Sequence, residues 1–82
     1  MANIKQKILI VEDDLDVAEM VTAYFRAQGY EVTTVNWGED GVRACQTTHP
    51  DLAILDIRLP DIDGYEVARR LRRDRRTAHV PI

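Results

Sequence analysis

The sequence predicts an α/β domain built on a parallel sheet, and three observations carry that prediction. Aliphatic or β-branched runs of strand length recur at residues 7–11, 30–35 and 52–56 of the 82-residue chain. Segments with helical spacing of apolar residues lie between and after them. Acidic residues close the first and third runs, at the carboxyl ends where open α/β sheets place their chemistry. Strands alternating with helices imply right-handed crossovers, with helices on both faces of the sheet.

The elements follow in order. Residues 1–6 form a polar lead-in. Lys7-Ile8-Leu9-Ile10-Val11 is the first strand, and it stops at Glu12-Asp13-Asp14. Acids there also suit a helix start, because they complement the positive end of the dipole. Val17, Met20, Val21, Tyr24 and Phe25 fall at i, i+3, i+4, i+7 and i+8, which predicts one apolar helix face, with Gly29 as the terminating glycine. Residues 30–35 form a more polar strand, suited to a sheet edge. Asn36-Trp37-Gly38-Glu39-Asp40 turns into a short helix that runs through Val42 and Cys45 and ends near Thr48-His49-Pro50.

Leu52-Ala53-Ile54-Leu55-Asp56 reads as a strand buried on both faces. A loop through Pro60 and Gly64 leads to a third helix with Val67, Ala68 and Leu71 on its inner face. Ala78-His79-Val80-Pro81-Ile82 is expected to begin a fourth strand.

Composition bounds what such a domain does. It is that of an ordinary globular chain, 45% hydrophobic and 30% charged, with net charge −3. A single cysteine excludes an intramolecular disulfide and a cysteine-based zinc site. With no leader-like segment and no apolar run near membrane length, the expectation is a cytoplasmic protein without a membrane span. Residues 1–68 carry 13 acids and five bases, whereas residues 69–82 carry one acid and six arginines. That balance does not fit direct nucleic-acid binding, which favours a basic face, and the arginines are expected to form the solvated side of the third helix.

If the first and third strands are neighbours, their ends lie roughly 5 Å apart and bring Glu12 and Asp13 beside Asp56. Three carboxylates so close repel one another, which favours a hard cation. Mg²⁺ suits one or two carboxylates, several waters and a phosphate. A carboxylate is also a competent nucleophile for an aspartyl-phosphate. The residue types therefore fit phosphoryl transfer to Asp56, with Asp13 a direct metal ligand and Glu12 acting directly or through water. Taken singly, each acid is equally a helix cap or a turn residue, and Asp14 reads as a cap.

These motifs resemble the receiver domain of bacterial two-component response regulators. Residues 7–14 match the family's first strand and acidic pair. Pro50-Asp51-Leu52-Ala53-Ile54-Leu55-Asp56 matches its third strand and phosphoacceptor, and Leu59-Pro60-Asp61-Ile62-Asp63-Gly64 the following loop. The resemblance covers residues 7–82. It implies a flavodoxin-like three-layer fold with strand order 2-1-3 and the start of strand 4. It also implies a signalling phosphoprotein, not an enzyme, that accepts phosphate on Asp56 from a sensor histidine kinase or phosphotransfer protein. Mg²⁺ would be held by Glu12, Asp13, Asp56 and the backbone carbonyl of Arg58.

On the same resemblance, residues 1–82 form a receiver domain incomplete at the C-terminus. The fifth strand, the last helices, and the family's phosphate-contacting Ser/Thr and Lys would lie beyond Ile82. A bare third strand would then favour a homodimer through the strand-3/strand-4 edge. The alternative function is a truncated, non-switching receiver that serves as an interaction or dimerisation module. Two other motifs fail on spacing. A calcium loop around Asp61–Gly64 would put Leu59 and Arg70 at ligand positions, and a haloacid-dehalogenase nucleophile would need an acid where Arg58 stands. Trp37 and Cys45 are expected to be packing residues.

Overall fold

The computed structural model describes residues 5–82; residues 1–4, most of the expected lead-in, lie outside the described residues. Six elements follow one another: β1 (Lys7–Val11), α1 (Leu15–Ala27), β2 (Glu31–Val35), α2 (Gly38–Thr48), β3 (Leu52–Leu55) and α3 (Gly64–Arg73). The strands form one parallel sheet in the order β2-β1-β3, the order that the receiver resemblance implies. In register, Val11 stands opposite Val35 on one side and Leu55 on the other. The strand ends are thus level, and the residues after them share one rim.

Alternation along β1 splits the core into two layers. Leu9 and Val11 join Cys45, Ala53, Val67, Leu71 and Val80 under α2 and α3. Ile8 and Ile10 join Val32 on the opposite face, where Val21 and Phe25 of α1 pack. A hydroxyl pair, Thr22 Oγ1 to Thr34 Oγ1 at 2.7 Å, ties α1 to the edge strand β2. Cys45 is fully buried, as a packing residue should be.

The apolar stripe expected of α1 is only partly inward. Val21 and Phe25 pack on the sheet, but Met20 is 65% and Tyr24 60% exposed, while Ala18 and Thr22 are buried. Small residues let the helix sit close to the sheet, and that rotates the longer Met20 and Tyr24 off the seam. Trp37 likewise departs from expectation: it precedes α2 in extended conformation and is 51% exposed. α1 ends as predicted, with Gly29 in the left-handed region at φ 94°.

Residues 78–82 do not begin a fourth strand. The amides of Thr77 and Ala78 bond to the Asp74 carbonyl and that of Val80 to the Thr77 carbonyl, a chain of local turns. Pro81 has no amide to give a ladder. One bond to β3 remains, from the Ala53 amide to the Pro81 carbonyl at 2.9 Å. The turn is held by Thr77, fully buried, whose hydroxyl donates to the Leu71 carbonyl at 2.8 Å, and by Arg72 Nη1 donating to the Val80 carbonyl at 2.7 Å.

The arginines are correspondingly more engaged than a solvated face requires. Arg70 bridges Glu66 on its own helix and Glu39 on α2, both at 2.9 Å, Arg76 holds Asp74, and Arg69 reaches Glu66. Among the described residues no helix is long and apolar enough to cross a membrane.

Two carboxylates report on this architecture in acid. The Arg76 guanidinium and amide, with Gln46, hold Asp74 at about 2. Asp61 also sits at about 2: desolvation pushes it up, but backbone amides of Glu39, Ile62 and Gly38 outweigh that. Both folded values lie below the usual carboxylate near 3.9, so the stabilisation is full above about pH 4 and is lost as pH falls towards 2. Urea melts across that window are expected to show falling stability, with a shallower fall in Asp61→Asn and Asp74→Asn. An unchanged slope in both variants would contradict this assignment.

Candidate functional site

The level strand ends put the acids where the register demands. The Glu12 amide donates to the Val35 carbonyl at 3.0 Å, and the Asp56 amide to the Val11 carbonyl at 2.9 Å. The ladder therefore reaches one residue past β1 and β3 and fixes the backbone of both acids. Carboxylate oxygens of Glu12, Asp13 and Asp56 all lie within 4.8 Å of one another. Glu12 and Asp56 are half-buried and Asp13 is exposed, so the cluster opens to solvent.

The electrostatics of the cluster are uneven. Desolvation and the hydrogen bond to Asp56, together with its charge, raise the Glu12 carboxyl. Asp56 is lowered instead, first by the hydrogen bond with Glu12, against a desolvation penalty, and further by the Arg58 amide, Asp13 and the Ile57 amide. The two neighbouring carboxyls are thus driven in opposite directions. The three oxygen donors match a hard divalent cation, whose charge would offset the repulsion among them.

Arg58 lies in the loop after β3, and its amide donates to Asp56 Oδ1 at 3.3 Å. Asp14 is the N-cap of α1, as its position implied: Oδ1 accepts from the amides of Asp16 at 3.0 Å and Val17 at 3.1 Å. It stands beside the cluster as structure.

Three residues make supporting contacts that the sequence reading did not assign. Asn36 Nδ2 donates to the Glu12 carbonyl at 2.9 Å and anchors the end of β1. Asp61 accepts from the first amides of α2, Gly38 at 2.7 Å and Glu39 at 2.8 Å. Gly64 opens α3 so close to β3 that any Cβ there would overlap the Asp56 carbonyl oxygen. Its amide also closes the loop by donating to the Ile57 carbonyl at 2.9 Å. Of these only Gly64 had a visible signal, a glycine after a capping aspartate.

Comparison with known proteins gives the family and the fold. Residues 8–82 match the response regulator receiver domain. The chain is 40% identical over 76 residues to the DNA-binding dual master transcriptional regulator RpaA of Synechocystis, a match covering 93% of this chain and 32% of that protein. It thus spans about a third of the length of that curated relative. Among solved structures, a putative response regulator from Chloroflexus aurantiacus superposes with TM-score 0.92 at 39% identity, covering 96% of this chain and 65% of that one. The receiver domain of sensor histidine kinase PA1611 from Pseudomonas aeruginosa, solved with magnesium coordinated in its active-site cleft, gives TM-score 0.92 at 37% identity, with the same coverage.

Proposed function

The chain belongs to the response regulator receiver domain family, and from that premise we propose that it is a phosphoacceptor module in which Asp56 takes a phosphoryl group from a histidine kinase or phosphotransfer protein. The observation that carries this reading is the meeting of Glu12, Asp13 and Asp56 at the rim of the sheet.

An ionised Asp56 oxygen forms the new O–P bond while the donor's P–N bond breaks, and the electron pair leaves with the imidazole. Hydrogen bonding that lowers Asp56 keeps this carboxylate charged. Glu12, Asp13, Asp56 and the Arg58 carbonyl are the groups that would hold Mg²⁺, which would screen the repulsion between Asp56 and the phosphoryl oxygens. Asp56 takes one phosphoryl group per chain and is returned as the carboxylate when the acyl phosphate hydrolyses, which makes the module a reversible signalling component. The longer relative named as DNA-binding has further chain in which to contact DNA; the acidic balance of this stretch does not suit that task.

Incubation with acetyl phosphate and Mg²⁺, followed by intact mass, tests the reading. A phosphate adduct in the wild type and none in Asp56→Asn is expected. No adduct under conditions that label another receiver would leave the module as an interaction domain that keeps the acidic pocket without using it.

Self-association belongs to the same reading. Ile57, Tyr65 and Ile82 are exposed around Leu55 and Ala68 at the outer side of β3. Exposed apolar surface beside a strand edge favours pairing with a second copy. Light scattering at micromolar concentration is expected to return the mass of a homodimer; a stable folded monomer would contradict it.

A further inference from the structure

We propose that Asp61 is a positioning residue for the Asp56 site, clamping the loop after β3 to the first turn of α2. This rests on Asp56 as a metal-assisted phosphoacceptor and adds to it.

The first amides of a helix have no partner within the helix. At α2 the N-cap residue is Trp37, whose side chain makes no capping bond. Asp61 supplies the cap from 23 residues away: Oδ1 accepts from Gly38 at 2.7 Å and Oδ2 from Glu39 at 2.8 Å. Both oxygens are used, and a negative charge sits at the positive end of the helix dipole. The approach is tight, because a Cβ at Gly38 would overlap the side chain of Ile62, the residue after Asp61.

The clamp matters because of what lies on either side of it. The stretch 36–39 is anchored to the end of β1 by Asn36, which holds the Glu12 carbonyl. The loop that Asp61 holds starts at Asp56 and includes Arg58. It is tied within itself by Gly64 to the Ile57 carbonyl, and to the start of α3 by Asp63, whose Oδ1 accepts from Glu66 at 2.8 Å. Asp61 ties this loop to the first turn of α2. It thereby links the half of the cluster borne by β1, Glu12 and Asp13, to the half borne by β3. The β1–β3 ladder already fixes the backbones of Glu12 and Asp56; what Asp61 adds is the position of the loop that carries Arg58, whose carbonyl the ladder does not reach.

The test uses the whole 82-residue chain as wild type, Asp61→Ala and Asp61→Asn. Mg²⁺ alone is titrated and followed by backbone amide shifts well below each protein's melting temperature. Alanine removes both bonds; asparagine keeps one acceptor and turns a donor towards the second amide. The Mg²⁺ dissociation constant is expected to rise roughly tenfold in Asp61→Ala and by less in Asp61→Asn. The rate of acetyl-phosphate labelling should recover towards wild type at saturating Mg²⁺. A cap with only a structural role would lower the melting temperature but leave the dissociation constant unchanged, and that result would overturn the inference. If Asp61→Ala does not fold, Asp61→Asn against wild type decides in the same way. A wild type that binds no Mg²⁺ would instead overturn the reading of Asp56 and this inference with it.

Discussion

Replacing Gly64 with alanine is expected to cost about 1–3 kcal/mol of stability, as overpacking of a tight contact does, and to slow labelling of Asp56 by about 10²-fold. Two causes combine. The added methyl would meet the Asp56 carbonyl oxygen, which is backbone and cannot swing aside as a flexible side chain can. Relief therefore requires α3 and the end of β3 to separate. That separation strains the Gly64 amide bond to the Ile57 carbonyl and the Asp56 amide bond to the Val11 carbonyl. Asp56 then moves relative to Glu12 and Asp13, and phosphoryl transfer is intolerant of displacement on the scale of an ångström. Chemical melts and labelling rates measure the two effects separately. Wild-type stability and wild-type rate together would show that the contact has slack and does not set the position of Asp56.

Asp13→Asn is expected to have the largest effect on the metal site with little effect on the fold. Asp13 is exposed at the mouth of the cluster, so the amide fits without repacking. It removes one of the three carboxylates that converge there. Loss of a charged direct ligand should weaken Mg²⁺ binding by about 100-fold, the upper end of what changes to outer-shell partners cost. Lower repulsion within the cluster also follows, which partly offsets the loss in the metal-free protein. Thermal melting without Mg²⁺ should therefore match or exceed wild type, whereas the rise in melting temperature that Mg²⁺ gives the wild type should vanish. An undiminished Mg²⁺ response in Asp13→Asn would remove Asp13 from the ligand set.

Much of the fold was legible because its signals are local. Aliphatic runs at 7–11 and 52–55 mark strands, although only β1 is buried along most of its length and β3, expected to be buried on both faces, buries Ala53 alone; the glycine at 29 and the aspartates at 14 and 63 mark helix ends by their own chemistry. The acidic cluster was legible for the same reason: each acid follows a strand, and parallel register makes their ends level. Long-range pairings were not. Asn36 and Asp61 act on backbone groups 24 and 23 residues away, and nothing in their neighbours' sequence marks them. The arginine run is the solvated face its charge implied, with all but Arg70 exposed, but charge pattern alone did not show that Arg70 and Arg72 reach specific partners on α2 and in the 78–80 turn. Residues 78–82 misled. Their β-branched and apolar content suits a strand, but local turn bonds and Pro81 take up or remove the amides that a strand would offer.

Glu12 illustrates why residue type alone did not settle roles within the cluster. Glu12 and Asp56 are both half-buried carboxylates, yet their pKa values move in opposite directions. The difference comes first from the burial of Glu12 and from the hydrogen bond between the two, which raises Glu12 and lowers Asp56; backbone donors add to it. Asp56 accepts the Arg58 amide, while Glu12 gains one long bond from the Asp14 amide at 3.2 Å against a larger desolvation penalty.

The position of the acquired phosphoryl group is the most direct measurement. After incubation with acetyl phosphate and Mg²⁺, borohydride reduction converts an aspartyl-phosphate to homoserine, which peptide mapping locates. Homoserine at position 56, formed only when Mg²⁺ is present, is the expected result. Modification at another acid, or at Asp56 to the same extent without Mg²⁺, would contradict a metal-assisted phosphoacceptor built from Glu12, Asp13 and Asp56.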